Sequence, residues 1–255
     1  MHAQISLGTT SDDRFMPNGY VKQFAEMEQL VLTEKLDGQN NCFNKYGVFA
    51  RSHTSPSIHP WDKPLRQRWE LIKSDLKDLE IFGENMYAIH SVGYQKLESY
   101  FYVFAVREKD QWLSWEEVKF YASVLDFPTV PEILIQKQLS EFYQENKNEN
   151  DCLISWLTHN LEMPWEAYVE TKGKLTGYNA FTNQAACEGF VIRNARGFKT
   201  NEGLLPVAEN EFDSLFKLVR AGHVQNDVHW TKNWKTAKLI DYGKHKWDAY
   251  QYLSS

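Results

Sequence analysis

The segment SYFYVFAVRE, from Ser99 to Glu108, constrains the chain more than any other stretch. It is dense in aromatic and β-branched residues, the side chains that fit a pleated, buried surface. This predicts a central β-strand, and a central strand needs partners. QLVLTEKL from Gln29 to Leu36 reads as a strand, with YGVFARS from Tyr46 to Ser52 as its hairpin partner and a turn near Asn44 to Gly47. LEIFGEN from Leu79, CEGFVIRN from Cys187 to Asn194 and SLFKLVR from Ser214 to Arg220 also carry strand character.

Helical spacing of apolar residues runs from Trp61 to Leu76. Ser114 and Glu117 in SWEE form a capping box that opens a helix towards Leu125. Two more helical patterns, Gln138 to Gln144 and Cys152 to Asn160, flank the polar run ENKNEND. Strands on both sides of a helical stretch predict an α+β fold. Its expected form is antiparallel β-sheets flanked by helices, with a helical insertion at about 110–170.

At 255 residues and 42% hydrophobic, the chain can bury a substantial core. The expected division is a large domain over 1–220 and a short basic and aromatic segment over 221–255. A formal net charge of −6 excludes coating nucleic acid by bulk electrostatics, so any such contact must be a local patch. Cys42, Cys152 and Cys187 are far apart with no CxxC pair, which supports neither a disulfide framework nor a cysteine zinc site. The eight histidines lack HxxxH or HxH spacing and read as solvated or structural. MHAQISLGTTSDDRF lacks a basic segment followed by an apolar run, and no stretch is long and apolar enough to span a bilayer. A soluble cytoplasmic protein is expected, with no membrane contact and no protein partner implied.

Polar residues inside these strands point to chemistry. Lys35 and Asp37, two apart in EKLDG, share a strand face, and Gly38 lets the backbone turn. A lysine nucleophile must lose its proton, yet at a pKa of about 10.4 only roughly one molecule in a few thousand is neutral at pH 7. Cationic neighbours or burial must depress that value. An isolated KxDG is commonly no more than a surface turn with an ion pair. Here it is followed in order by FARS around Arg51, GEN around Glu84, YVFAVRE around Phe104, CEGFVIRN around Glu188 and FKLVR around Lys217.

That order resembles the covalent nucleotidyltransferase superfamily of polynucleotide ligases and capping enzymes, most closely its ATP-dependent RNA ligase branch. KLDGQN is similar to the nucleotidyl-lysine motif, IFGEN to the motif that supplies a glutamate, and FYVFAV to the adenine-stacking strand. EGFVIR is similar to the EGxV motif and FKLVR to the last lysine motif. The resemblance spans Glu34 to Arg220. It implies ATP and Mg²⁺ (or Mn²⁺) as cofactors, and RNA ends carrying a 5′-phosphate and a 3′-hydroxyl as partners.

Under the same resemblance Lys35 attacks the α-phosphorus of ATP and holds AMP. Phe104 stacks on adenine, Glu84 binds the ribose, and Arg51 sits near the ribose or the incoming phosphate. Glu188 and Asp37 hold the metal, the oxygen ligands a hard cation prefers. Lys217 contacts the α-phosphate and Asn40 orients the nucleic-acid end. One departure is plain: much of the family reads KxK in the last motif, whereas Val219 stands two residues after Lys217.

Arg220, Lys232 and Lys235 begin a run of cations interleaved with Trp230, Trp234 and Trp247, which suits a nucleic-acid backbone track. Lys232, Lys235 and Lys238 would share one face of a helix. A solvated tail whose tryptophans pack on the core fits equally well. The segment after Arg220 is shorter than the OB domain that DNA ligases and capping enzymes carry there, which favours a compact RNA ligase. The alternatives are a DNA nick ligase, another nucleotidyltransferase, or a non-catalytic module that binds RNA ends. A nick in a duplex, a hairpin break and two free single-stranded ends fit the motifs equally well.

Overall fold

A computed structural model describes residues 1–9, 14–50, 55–136, 139–199, 214–223, 230–232 and 234–240. The first half contains α1 (Tyr20–Glu26), β1 (Leu30–Lys35), β2 (Gln39–Asn44), β3 (Gly47–Ala50), α2 (Lys63–Leu76), β4 (Leu79–Asn85), β5 (Val92–Tyr94), β6 (Phe101–Glu108), β7 (Gln111–Trp112) and α3 (Trp115–Val124). The second half contains β8 (Glu132–Gln136), α4 (Glu149–Leu161), α5 (Trp165–Tyr168), β9 (Gly177–Asn179), β10 (Gly189–Asn194), β11 (Phe198–Lys199) and β12 (Leu215–Val219).

These strands form a four-stranded sheet in the order β12-β10-β1-β8 and a six-stranded sheet in the order β11-β7-β6-β4-β2-β3, with β5 and β9 as a separate pair. Among the described residues every pairing between these named strands is antiparallel. The α+β class with antiparallel sheets is therefore as expected, and β6 is an interior strand as its composition requires.

Alternation along the strands of the smaller sheet sorts its residues into two environments. Leu30 and Leu32 of β1, Phe190 and Ile192 of β10, and Phe216 and Leu218 of β12 enter one core with Trp156 and Leu157 of α4 and Phe24 of α1. Phe216 meets the rings of Tyr20 and Phe24 edge-on at 5.2 and 4.6 Å. Thr33, Lys35, Val191, Arg193 and Lys217, the intervening residues, line a cavity. The larger sheet packs Phe43, Ile81, Phe101 and Val106 against Leu65, Ile72 and Leu76 of α2 and Val118 and Ala122 of α3 in a second core. The capping box at α3 is present, with Ser114 Oγ accepting from Glu117 N and Ser114 N donating to the Glu117 carboxylate at 2.8 Å.

Several details differ from the sequence reading. β3 pairs with β2, not with β1, and the Asn44 to Gly47 turn joins those two strands. β1 and β2 belong to different sheets, because the chain leaves the small sheet at Lys35 and enters the large one at Gln39. The stretch read as helical also contains β8, which pairs with the free edge of β1. Where the first of its two later helical patterns is expected, the described residues form a short 3-10 turn, Leu139–Glu141.

Residues 234–240 do not continue a helix after the 3-10 turn at Trp230–Lys232, so the three lysines do not share a helical face. The segment lies instead along residues 87–97, with Ala237 N donating to Tyr87 O and Ile89 N to Lys235 O, both at 2.8 Å. Trp234 packs against Trp61 and Tyr87, as the core-packing alternative for the tail supposes.

Gly189 opens β10 opposite Lys35, and a Cβ there would collide with the carbonyl oxygen of Leu218 on β12. Replacing Gly189 with alanine must therefore push β10 and β12 apart. We expect Gly189→Ala to lower stability by about 2 kcal/mol or more, read from urea denaturation. An unchanged midpoint would contradict the packing described.

Candidate active site between the two sheets

The connection Leu36 to Gly38 is the seam between the sheets. Its backbone is tied down by side chains from other elements. Tyr94 Oη accepts from Asp37 N at 2.9 Å, and Glu84 Oε1 accepts from Gly38 N at 3.1 Å. Gly38 is close to the carbonyl of Asn85, so that a Cβ would lie 2.5 Å from that oxygen. The Asp37 carboxylate accepts from Ser91 N and Val92 N at 2.8 and 2.6 Å. On the face of β1 that carries Leu30 and Leu32, the buried Glu34 accepts from Tyr168 Oη at 2.9 Å and Lys174 N at 2.7 Å.

Lys35 ends β1 with its ammonium 2.5 Å from Glu188 Oε1. Glu188 immediately precedes β10 and is 5% exposed. His223 Nε2 lies 3.3 Å from the same Glu188 oxygen and 3.5 Å from Asp37 Oδ1. His90 Nδ1 faces that Asp37 oxygen at 3.9 Å. Burial and the loop fold thus concentrate three carboxylates, Asp37, Glu84 and Glu188, around one lysine.

The charge states follow from this crowding. Burial pushes the Lys35 pKa down, but Glu188, Glu84 and Asp37 outweigh it and raise the value above that of a free lysine. Burial raises Glu84 to about 7, opposed by Lys35 and reinforced by Glu188 and Asp37. For Asp37 burial is outweighed by His223, His90 and Lys35, which hold its pKa down at about 2. His223 is raised because its two carboxylate neighbours overcome its burial.

Above this seam opens a cavity of about 740 Å³, within the range of small-molecule sites. Lys35, Lys217, Val191 and Arg193 line it from the small sheet, and Asn40, Glu84 and Phe104 from the large one. Lys217 stands opposite Val191 in the β10–β12 register, and Val191 in turn stands opposite Thr33 of β1. Asn40 stands opposite Glu84 in the β2–β4 register.

Phe104 is half-buried and owes its placement to a β-bulge. Phe82 pairs with Ala105 and Gly83 with Val103, so Phe104 is the extra residue. Its carbonyl accepts from Arg193 Nη1 at 3.1 Å, while Arg193 Nη2 donates to Leu113 O at 2.9 Å. One guanidinium thereby joins the small sheet to the bulge of the large one. Burial lowers the Arg193 pKa to about 10, which leaves it charged at neutral pH.

The structure brings Lys35, Asp37, Glu84 and Glu188 together, and sets Lys217, Phe104 and Asn40 around the same cavity. Arg220 follows β12 with its backbone N–H donating to Glu188 O at 3.0 Å, and it does not line the cavity. Lys232 and Lys235 are exposed on the carboxyl-terminal segment. Arg51 lies outside the described residues. His223 and His90, which the sequence reading leaves as solvated or structural, both face Asp37. Arg193 is a cavity residue that the motif roles do not name, although its place in EGFVIR puts it on the same strand face as Val191.

Lysine amines on the floor of such a cleft and carboxylates at its seam suit a ligand that carries phosphates and comes with a cation. Residues 28–219 match the RNA ligase family. The chain belongs to the RNA ligase family. Among curated proteins no relative matches it.

Similar solved structures include a mutant Naegleria gruberi RNA ligase with ATP and Mn, at 14% identity and a TM-score of 0.46, covering 85% of this chain and 57% of that one. The same Naegleria gruberi ligase with pyrophosphate is 13% identical with a TM-score of 0.42, covering 86% and 59%. An archaeal ATP-dependent RNA ligase is 15% identical with a TM-score of 0.43, covering 78% and 48%. The chain thus spans between about half and three fifths of the length of these structures. No helix among the described residues is long and apolar enough to cross a membrane.

Arg193→Met should leave the carbonyls of Phe104 and Leu113 buried without their donor and cost about 2–4 kcal/mol. Arg193→Lys should recover little, because an ammonium lacks the planar fork that reaches both. Thermal denaturation of the two variants checks this, and a lysine variant as stable as the wild type would refute it.

Proposed function

We propose that the chain is an ATP-dependent RNA ligase that works through a lysyl-AMP on Lys35. The observation that carries this reading is Lys35 held against Glu188 at the floor of a cavity, with Lys217 on the same sheet face, in a chain of the RNA ligase family.

In the first step the Lys35 amine attacks the α-phosphorus of ATP. A P–N bond forms, the bond between the α-phosphorus and the bridging oxygen breaks, and pyrophosphate leaves. In the second, an oxygen of an RNA 5′-phosphate attacks the same phosphorus, breaks the P–N bond and takes AMP. In the third, the 3′-hydroxyl of another RNA end loses its proton, bonds to the 5′-phosphorus and expels AMP. Positioning and neutralisation of charge do most of this work.

Lys217 neutralises charge on the α-phosphate oxygens. Phe104, aimed into the cavity by its bulge, offers a face for adenine, and Glu84 and Asn40 offer polar contacts beside it. Arg51 contacts the ribose or the incoming phosphate under the same reading. Arg220, Lys232 and Lys235 contribute cationic contacts to the RNA backbone.

Asp37 and Glu188 fit a divalent cation. Their donors are hard oxygens, and the second Glu188 oxygen, Oε2, is buried without a hydrogen-bond partner among the described residues. Mg²⁺ or Mn²⁺ held there would cancel the negative charge that keeps Lys35 an ammonium, and so favour the neutral amine. Under this reading the enzyme works in RNA repair in the cytoplasm.

Joining assays with ATP and Mg²⁺ test this reading. RNA with a 5′-phosphate should be joined to a 3′-hydroxyl end, and the same RNA with a 5′-hydroxyl should not. Lys217→Ala should slow the first step by about 10²–10³-fold. Sealing of DNA nicks with RNA ends left untouched would favour a DNA ligase. Tight binding of RNA ends without joining would favour a binding module.

A further inference from the structure

The carboxylates at the seam face a third donor that the sequence motifs do not contain. Asp37, Glu188 and His223 each offer one ligand atom, and these atoms lie within 4.8 Å of one another. An ion that binds its ligands at about 2.0–2.2 Å sets them roughly 2.8–4.4 Å apart. Closing this site therefore needs side-chain adjustments of about an ångström or less.

Two further observations point to a cation. His223 is 8% exposed, and it turns Nε2 towards both carboxylates instead of towards solvent. Glu188, 5% exposed, keeps Oε2 buried with no hydrogen-bond partner among the described residues. A buried carboxylate oxygen left unpaired is costly, and a metal ion is one of the few groups that removes that cost.

We infer that His223 is a direct ligand of the divalent cation, so that the site is Asp37 O, Glu188 O and His223 N instead of carboxylate alone. This deepens the metal-assisted adenylylation proposed above and rests on the same site. Its chemical consequence is a change of preference. Mg²⁺ strongly favours oxygen and keeps much of its water, whereas an imidazole nitrogen raises affinity along the first-row series, so Mn²⁺, Co²⁺ and Zn²⁺ gain over Mg²⁺. Asp37 is also held by two backbone N–H groups, which fix the carboxylate that His223 must meet.

The test uses the full chain without nucleotide, freed of metal by chelation and titrated with Mn²⁺. Electron spin-echo spectroscopy of bound Mn²⁺ reads nitrogen coordination directly. One tightly bound Mn²⁺ with imidazole nitrogen coupling is expected in the wild type. His223→Ala and His223→Gln should lose the coupling and bind Mn²⁺ about tenfold or more weakly, at least the scale that outer-shell partners carry. Circular dichroism melting establishes that each variant is folded.

Mn²⁺ bound without nitrogen coupling would overturn the inference and leave His223 a hydrogen-bond partner of the carboxylates. Coupling that persists in both variants would overturn it in favour of His90. No Mn²⁺ binding at all would overturn it as well. Because no turnover is measured, these outcomes are independent of whether Lys35 becomes adenylylated.

Discussion

The ion pair between Lys35 and Glu188 is the constraint on which the site is built. It joins the end of β1 to the start of β10, at the point where the chain passes from one sheet to the other. Moving it would require β1 and β10 to change register, which would exchange the core-facing and cavity-facing residues of both strands. The same register sets Lys217 on the cavity side of β12 and Phe216 and Leu218 in the core. Cavity-facing groups and packing groups are therefore fixed by one alternation.

The seam stores charge instead of dispersing it. Three carboxylates, one lysine and two histidines meet in a largely buried region, and the protonation states of Lys35, Asp37, Glu84 and His223 depend on these neighbours. Asp37 stays ionised because histidines and Lys35 face it, while Glu84, with a less favourable balance, titrates near neutrality. Arg193 stands apart from this cluster and does structural work, clamping the bulge that turns Phe104 towards the cavity. Lys35 and Arg193 thus sit on neighbouring strands but in different surroundings, one in the charged seam and one in a clamp between the sheets.

Much of this was legible in the sequence where apolar density or strict alternation left one solution. β1, β4, β6, β10 and β12 all fall on segments read as strands, and the Ser114 cap appears where its box stands. Pairing was harder to read. YGVFARS is near QLVLTEKL in sequence, but Leu36 to Gly38 carry the chain into another sheet before a hairpin can form. β8 escaped notice because EILIQ is short and lies between helical patterns, and only the open edge of β1 makes it a strand. The aim of Phe104 depends on a register slip, which composition does not encode. His223 meets Asp37 across most of the chain, so no local spacing could have marked it.

The proposed activity depends most directly on the fate of Lys35. Intact-protein mass spectrometry after incubation with ATP and Mg²⁺, followed by peptide mapping under conditions that preserve P–N bonds, measures it. The predicted result is a mass gain of one AMP, located on Lys35 and absent from Lys35→Ala. An AMP carried by another residue, or none on folded protein shown to be free of AMP beforehand, would contradict the account.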